Sequence, residues 1–235
     1  MHKIEIPPEV EAASRARRGA GHVFADIDPA RTAHIVIDLQ NGFMEPGAPI
    51  EVPVAREIVP NVNRISAALR AAGGLNVFVR FVATEEDQKS WSVWYEMMGN
   101  KAERGTVSNS FTPDSHNYAL WPGLDIVSPG DITVDKTRFG AFVPGASDLH
   151  EILQARGIDT LIITGTLSNC CCESTARDAM QMNYKVIFVA DGNAAQSDAM
   201  HNATLANMTI LFADVMTTDE VTAILGAAPA RAAAE

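Results

Sequence analysis

From residue 33 onward, short continuous apolar runs alternate with stretches of helical periodicity, and few folds accommodate that rhythm. The run Ala33-His34-Ile35-Val36-Ile37 has the character of a central parallel strand covered on both faces. Residues 57–72 place Ile58, Val62, Ile65, Ala68 and Leu69 at helical spacing, and Gly73-Gly74 stops that helix. Further strands are expected at 77–79, 132–134, 160–164, 186–189 and 209–212, with helices near 146–156, 171–183, 197–207 and 218–225. This alternation predicts an α/β fold, a three-layer α/β/α arrangement around a six-stranded, mainly parallel, Rossmann-like sheet with right-handed crossovers.

The 235 residues suit one domain of ordinary α/β size, here placed at 32–226. Residues 1–31 read as an N-terminal extension with a basic cluster, Arg15, Arg17 and Arg18. It lies either on the domain or on a neighbouring subunit, or forms a partly ordered tail. Residues 83–130 break the rhythm. They hold all three tryptophans (Trp91, Trp94, Trp121) and two of the three tyrosines, which marks an insertion serving as a lid or a subunit contact. Residues 227–235 form an Ala-rich tail expected to fray.

A net charge of −11 repels phosphate backbones and anionic membranes, which argues against nucleic-acid or membrane partners. No apolar stretch is long enough to span a bilayer, and the first residues lack the apolar centre of a signal peptide. The three cysteines are clustered and build no long-range disulfide framework, so a reducing cytoplasm is the expected setting.

Those three cysteines are consecutive, Cys170-Cys171-Cys172, between the run 160–164 with its breaking Gly165 and a helical pattern from Glu173. A thiol where a helix begins faces unpaired N–H groups and the positive end of the helix dipole, which favours the nucleophilic thiolate. Cysteine is also a common small core residue. Successive helix positions point in different directions, so one thiol is expected to face a cleft and two to pack inward. Parallel sheets bind ligands at the carboxyl ends of their strands, where Asp38, Lys136 and the cysteine run all fall. The carboxylate can take the thiol proton and return it to a leaving amine, while the ammonium steadies both. Taken singly, Asp38 is equally a turn residue and Lys136 a solvated charge.

Three segments resemble the isochorismatase-like cysteine hydrolases: Ile37-Asp38-Leu39-Gln40-Asn41-Gly42-Phe43, the stretch Asp135 to Phe142, and Ile163 to Ala176. The resemblance covers about residues 32–215. It implies Cys171 as nucleophile by register, Asp38 as general acid/base and Lys136 as third member. It also implies a cis peptide at Thr166-Leu167 and an oxyanion hole from the backbone N–H groups of Leu167 and Cys171. The implied reaction is hydrolysis of a C–N bond in a small amide, ureido or N-carbamoyl compound through a Cys thioester, closest in look to ureidoacrylate and N-carbamoyl amidohydrolases. A nicotinamidase-like deamidase of an aromatic amide, or a catalytically silent binding member, are the alternatives. Where nicotinamidases carry a histidine-rich metal cluster, this chain reads Arg80 to Asp87 with no histidine, so neither metal nor other cofactor is expected. By the same resemblance the chain forms a homodimer or homotetramer. Gln40, Phe43, Trp91, Trp94, Tyr95, Phe139 and Asn169 are candidates to line a substrate pocket. Arg80 either binds a substrate carboxylate or is a paired structural residue. Gly140 departs from the serine frequent in the related branch.

Overall fold

Alternate side chains of each apolar run go to opposite faces of one sheet. In the computed structural model, which describes residues 1–97 and 110–227, the strands are Thr32–Ile37 (β1), Leu75–Phe81 (β2), Ile132–Lys136 (β3), Thr160–Thr166 (β4), Lys185–Ala194 (β5) and Asp214–Met216 (β6). All neighbours pair in parallel, in the order β3-β2-β1-β4-β5-β6. The six-stranded α/β architecture expected from the alternation is the one observed. Ile35, Ile37, Val77, Val79, Leu161, Ile163 and Phe188 pack with Leu149, Leu153, Ala176, Ala179 and Leu205 of the helices Leu149–Ala155, Glu173–Gln181 and Asp198–Asn207. Val36 and Phe78 meet Ile58 and Val62 of the helix Ala55–Ala71 on the other face. There too, Ile162, Ile187 and Val189 meet Ile65, Leu69, Val221 and Leu225, the last two from the helix Thr218–Ala227.

Two expectations need correction. The sixth strand is Asp214–Met216, not 209–212, because Met208–Phe212 continues the preceding helix as a wider π-turn. A short apolar run with β-branched residues reads equally as a strand or a helix end. The N-terminal segment supports the helical form. Ser14 donates to the Thr209 carbonyl at 2.9 Å, Arg17 to that of Ile210 at 2.6 Å, and Arg18 to those of Thr209 and Ala213, both at 2.8 Å. These side chains satisfy carbonyls that a helix end leaves open. The N-terminal helix Pro8–Arg18 thus lies on this domain, and the backbone N–H groups of Val23 and Phe24 close on the buried Asp214 carboxylate.

Gly165, expected to end β4, stays inside it with φ at 126°. A Cβ there would stand 2.1 Å from the Ile37 carbonyl oxygen, so only glycine lets β4 approach β1 at this point. The strand order reverses between β1 and β4, and the crevice at their carboxyl ends is where open α/β sheets hold ligands. Residues 98–109 of the expected 83–130 insertion and 228–235 of the expected tail lie outside the described residues. Among the described residues no helix is long and apolar enough to cross a membrane.

Candidate active site

Asp38 is the first residue past β1, Lys136 the last of β3, and Cys171 sits in the π-turn Ser168–Cys172 that follows β4. The Asp38 backbone occupies the left-handed region (φ 53°), with its N–H on the Val79 carbonyl and its carbonyl accepting from Gln40. That conformation is uncommon outside glycine, though aspartate is among the residues that tolerate it. It turns the chain inward at the sheet edge. Lys136 Nζ lies 2.8 Å from Asp38 Oδ2 with both side chains fully buried, and it also donates to the Arg138 carbonyl at 3.0 Å. The ion pair is close, yet neither carboxylate oxygen accepts a well-aligned hydrogen bond from the described residues.

Burial raises the Asp38 pKa, against the lowering influence of the Lys136 charge and the Cys171 thiol. Burial acts to lower Lys136, but the Asp38 charge, then Cys171, raise it overall. The Cys171 thiol is pushed well up by its hydrogen bond with Cys170, by burial and by the Asp38 charge. Of the two thiols sharing that bond, Cys170 is the more exposed, and its pKa moves down as that of Cys171 moves up. Burial and the Asp38 charge thus act against the resting thiolate that a helix start would favour. Cys171 lies in the π-turn rather than in the first α-turn. A thiol with a raised pKa needs a base to attack.

The thiol opens onto a cavity of about 350 Å³ walled by Phe43, Ile50, Phe81, Trp94, Phe139 and Leu167, with Cys170 and Cys171 at its floor. A larger hollow of about 640 Å³ at the amino ends of the strands holds no thiol. Cys172 is fully buried in the core, Cys171 is buried in the same core and borders the cavity, and the partly buried Cys170 borders the cavity as well, where one cleft-facing thiol and two inward ones are expected from the sequence. Phe43, Trp94 and Phe139 line the cavity. Trp91 and Tyr95 form a layer behind them, Trp91 stacked on Trp94 at 4.5 Å and Tyr95 edge-on to it at 4.6 Å. Gln40 does not line it. Its amide donates to the carbonyls of Phe81 and Tyr118 and accepts from the Phe81 N–H, so it acts as a strand-like clamp. Asn169 is exposed and does not line it either. Arg80 is a paired structural residue, forked onto Asp135 at 2.8 and 3.2 Å and lying over the Tyr118 ring. Gly140 faces Asp178, whose Oδ2 is 2.6 Å from where a Cβ would stand. The Thr166-Leu167 peptide is cis.

Sequence reading missed the support beneath the cysteine turn. Ser168 donates to His201 Nδ1 at 2.7 Å, and His201 Nε2–H donates to the Ala190 carbonyl at 3.0 Å, tying the turn to β5. Burial lowers the His201 pKa to about 4, which keeps the ring neutral in this two-way bridge. His2 stacks on it at 4.4 Å. Nothing local in the sequence joins residues 2, 168 and 201. His201→Leu leaves a buried hydroxyl and carbonyl unpaired, and urea denaturation is expected to show a loss of about 1–3 kcal/mol.

A thiol, a buried carboxylate and a buried ammonium around a cleft at the switch point form a set suited to nucleophilic attack on a carbonyl. Residues 32–220 match the isochorismatase domain. The chain belongs to the isochorismatase family. It is 31% identical over 230 residues to the ureidoacrylate amidohydrolase RutB of Methylobacterium radiotolerans, covering 88% of this chain and 85% of the relative. It is 30% identical over 206 residues to the N-carbamoylsarcosine amidase of an Arthrobacter species, covering 85% and 73%. Among solved structures, a cysteine hydrolase from Pseudomonas syringae pv. phaseolicola superposes with a TM-score of 0.77 at 30% identity, covering 86% of this chain and 95% of that one. The isochorismatase fold is thus shared over most of the chain, and these relatives make it a hydrolase family member. Among the described residues, no three His, Cys, Asp or Glu side chains group to hold a metal ion.

Proposed function

We propose that this isochorismatase-family hydrolase is a metal-independent cysteine amidohydrolase cleaving the C–N bond of a small linear amide, ureido or N-carbamoyl compound. The observation that carries the reading is the fully buried Asp38–Lys136 pair beside Cys171, which opens onto the cavity. Two relatives with amidohydrolase or amidase in their names support it. Asp38 takes the Cys171 proton as sulfur attacks the substrate carbonyl, and the backbone N–H groups of Leu167 and Cys171 receive the developing oxyanion. Asp38 then delivers that proton to the departing nitrogen, the C–N bond breaks, and a thioester remains. Water, losing its proton to Asp38, cleaves the thioester. The acid product leaves and the proton returns to sulfur. Lys136 keeps the carboxylate in place and ionised at rest.

The test is an ammonia-release screen over ureido acids, carbamoyl amines and aromatic amides, with Cys171→Ala as control. Hydrolysis lost in that variant and unchanged by chelator is the expected result. Undiminished hydrolysis in the variant, or its loss on chelation, contradicts the reading. The pH dependence follows from the two raised groups. Asp38 must be ionised to act as base, so kcat/KM is expected to rise with pH through an apparent pKa above the ordinary carboxylate value of about 3.9. It then stays level to beyond the ordinary thiol range, because Cys171 enters as the thiol. A rate that climbs through pH ~8–9 would show that a free thiolate is required.

A further inference from the structure

Carbon dominates the wall of the cavity over Cys171. Trp94 is held on one side by the stacked Trp91 and meets Phe81 and Phe139 edge-on, with ring centroids at 6.2 and 5.3 Å. Phe43 and Ile50 belong to the same aromatic cluster, and Phe43 and Phe81 both pack on the buried Phe111. Each cation among the described residues beside this site is already engaged. Lys136 is paired with Asp38, Arg80 is forked onto Asp135, and Arg138 donates to the Thr137 carbonyl and Ser90 hydroxyl, 3.7 Å from Asp87 and over the Trp91 ring.

A carboxylate placed against such walls loses its hydration with no free cation among the described residues to replace it, whereas an aryl or branched alkyl group gains from leaving water. Ureidoacrylate, the substrate in one relative's name, carries such a carboxylate. Resting on the amidohydrolase reading above, we infer that the non-reacting end of this enzyme's substrate is an uncharged aryl or branched alkyl group, seated between Trp94, Phe139 and Phe43, and not a carboxylate. A cavity of about 350 Å³ admits a group of about phenyl size together with the amide or ureido head.

The experiment compares benzylurea and phenylacetamide with N-carbamoyl-β-alanine and ureidoacrylate. Turnover is measured with the wild-type enzyme, and equilibrium binding to Cys171→Ala is followed by tryptophan fluorescence. The uncharged compounds are expected to exceed the carboxylates by roughly 100-fold in kcat/KM and to bind the variant more tightly, and Trp94→Ala is expected to raise KM for them more than it lowers kcat. Equal or better turnover, or tighter binding, of the carboxylates overturns the inference and leaves the cysteine chemistry standing. Hydrolysis that survives in Cys171→Ala overturns the cysteine chemistry, and turnover of none of the four leaves the decision on the apolar seat to binding. The binding comparison then still decides for or against the apolar seat.

Discussion

Cys171→Ala is expected to lower kcat for amide hydrolysis by about 10⁴-fold or more, whereas Cys172→Val stays within roughly tenfold of wild type. The reasons are positional. Cys171 combines an opening onto the cavity with interaction with both Asp38 and Lys136, while Cys172 is fully buried among apolar residues and close to valine in volume. Cys170 shares the cavity wall and a hydrogen bond with Cys171, so Cys170→Val is expected to change KM along with kcat. Steady-state kinetics on the best amide from the screen separates the three. An equal loss in Cys172→Val would move the nucleophile.

The second large effect concerns the ion pair. Lys136→Met removes the cation beside a carboxylate with no aligned hydrogen-bond donor, and breaking a fully buried pair from one side costs about 3–5 kcal/mol. Its pH dependence has a definite sign. Without Lys136 the buried Asp38 holds its proton far more tightly in the folded chain than in the unfolded one. A carboxylate whose folded pKa is raised carries no penalty below its unfolded value of about 3.9. The penalty grows as pH rises from there towards the folded value. The variant is therefore expected to lie furthest below wild type near neutral pH and to close the gap on acidification, in urea melts across that range. Pairing it with Asp38→Asn, which keeps the shape, tolerates the left-handed backbone and removes the charge, is expected to recover most of the stability and none of the activity. A variant as stable as wild type at neutral pH would mean that the pair is not buried as described.

Particular residues show what could be read before folding. The runs at 33–37, 77–79 and 160–164 are legible as strands because burial on both faces leaves no polar alternation, and 132–134 is legible as the start of an alternating, half-buried edge strand; together they place Asp38, Lys136 and the cysteines at one rim. The run 209–212 was not legible, because the residues that support its helical form, Ser14, Arg17 and Arg18, come from the far end of the chain. The same distance hid the bridge from Ser168 through His201 to Ala190 and the stacking of His2 upon it. Gln40 and Asn169 suggest pocket residues by position alone, whereas in the fold one clamps β2 and the other is exposed. A helix start is visible in sequence, whereas the burial beside a carboxylate that acts on the Cys171 thiol is not.

The central claim is that catalysis passes through an acyl group on Cys171 sulfur. Rapid acid quench during turnover of a slowly deacylating ester of the preferred acid, followed by intact mass and peptide mapping, tests it most directly. One acyl addition is expected, on Cys171, absent from Cys171→Ala and enriched as deacylation is slowed. An acyl group on Cys170 or Cys172 instead, or hydrolysis undiminished in Cys171→Ala with no adduct, would contradict it.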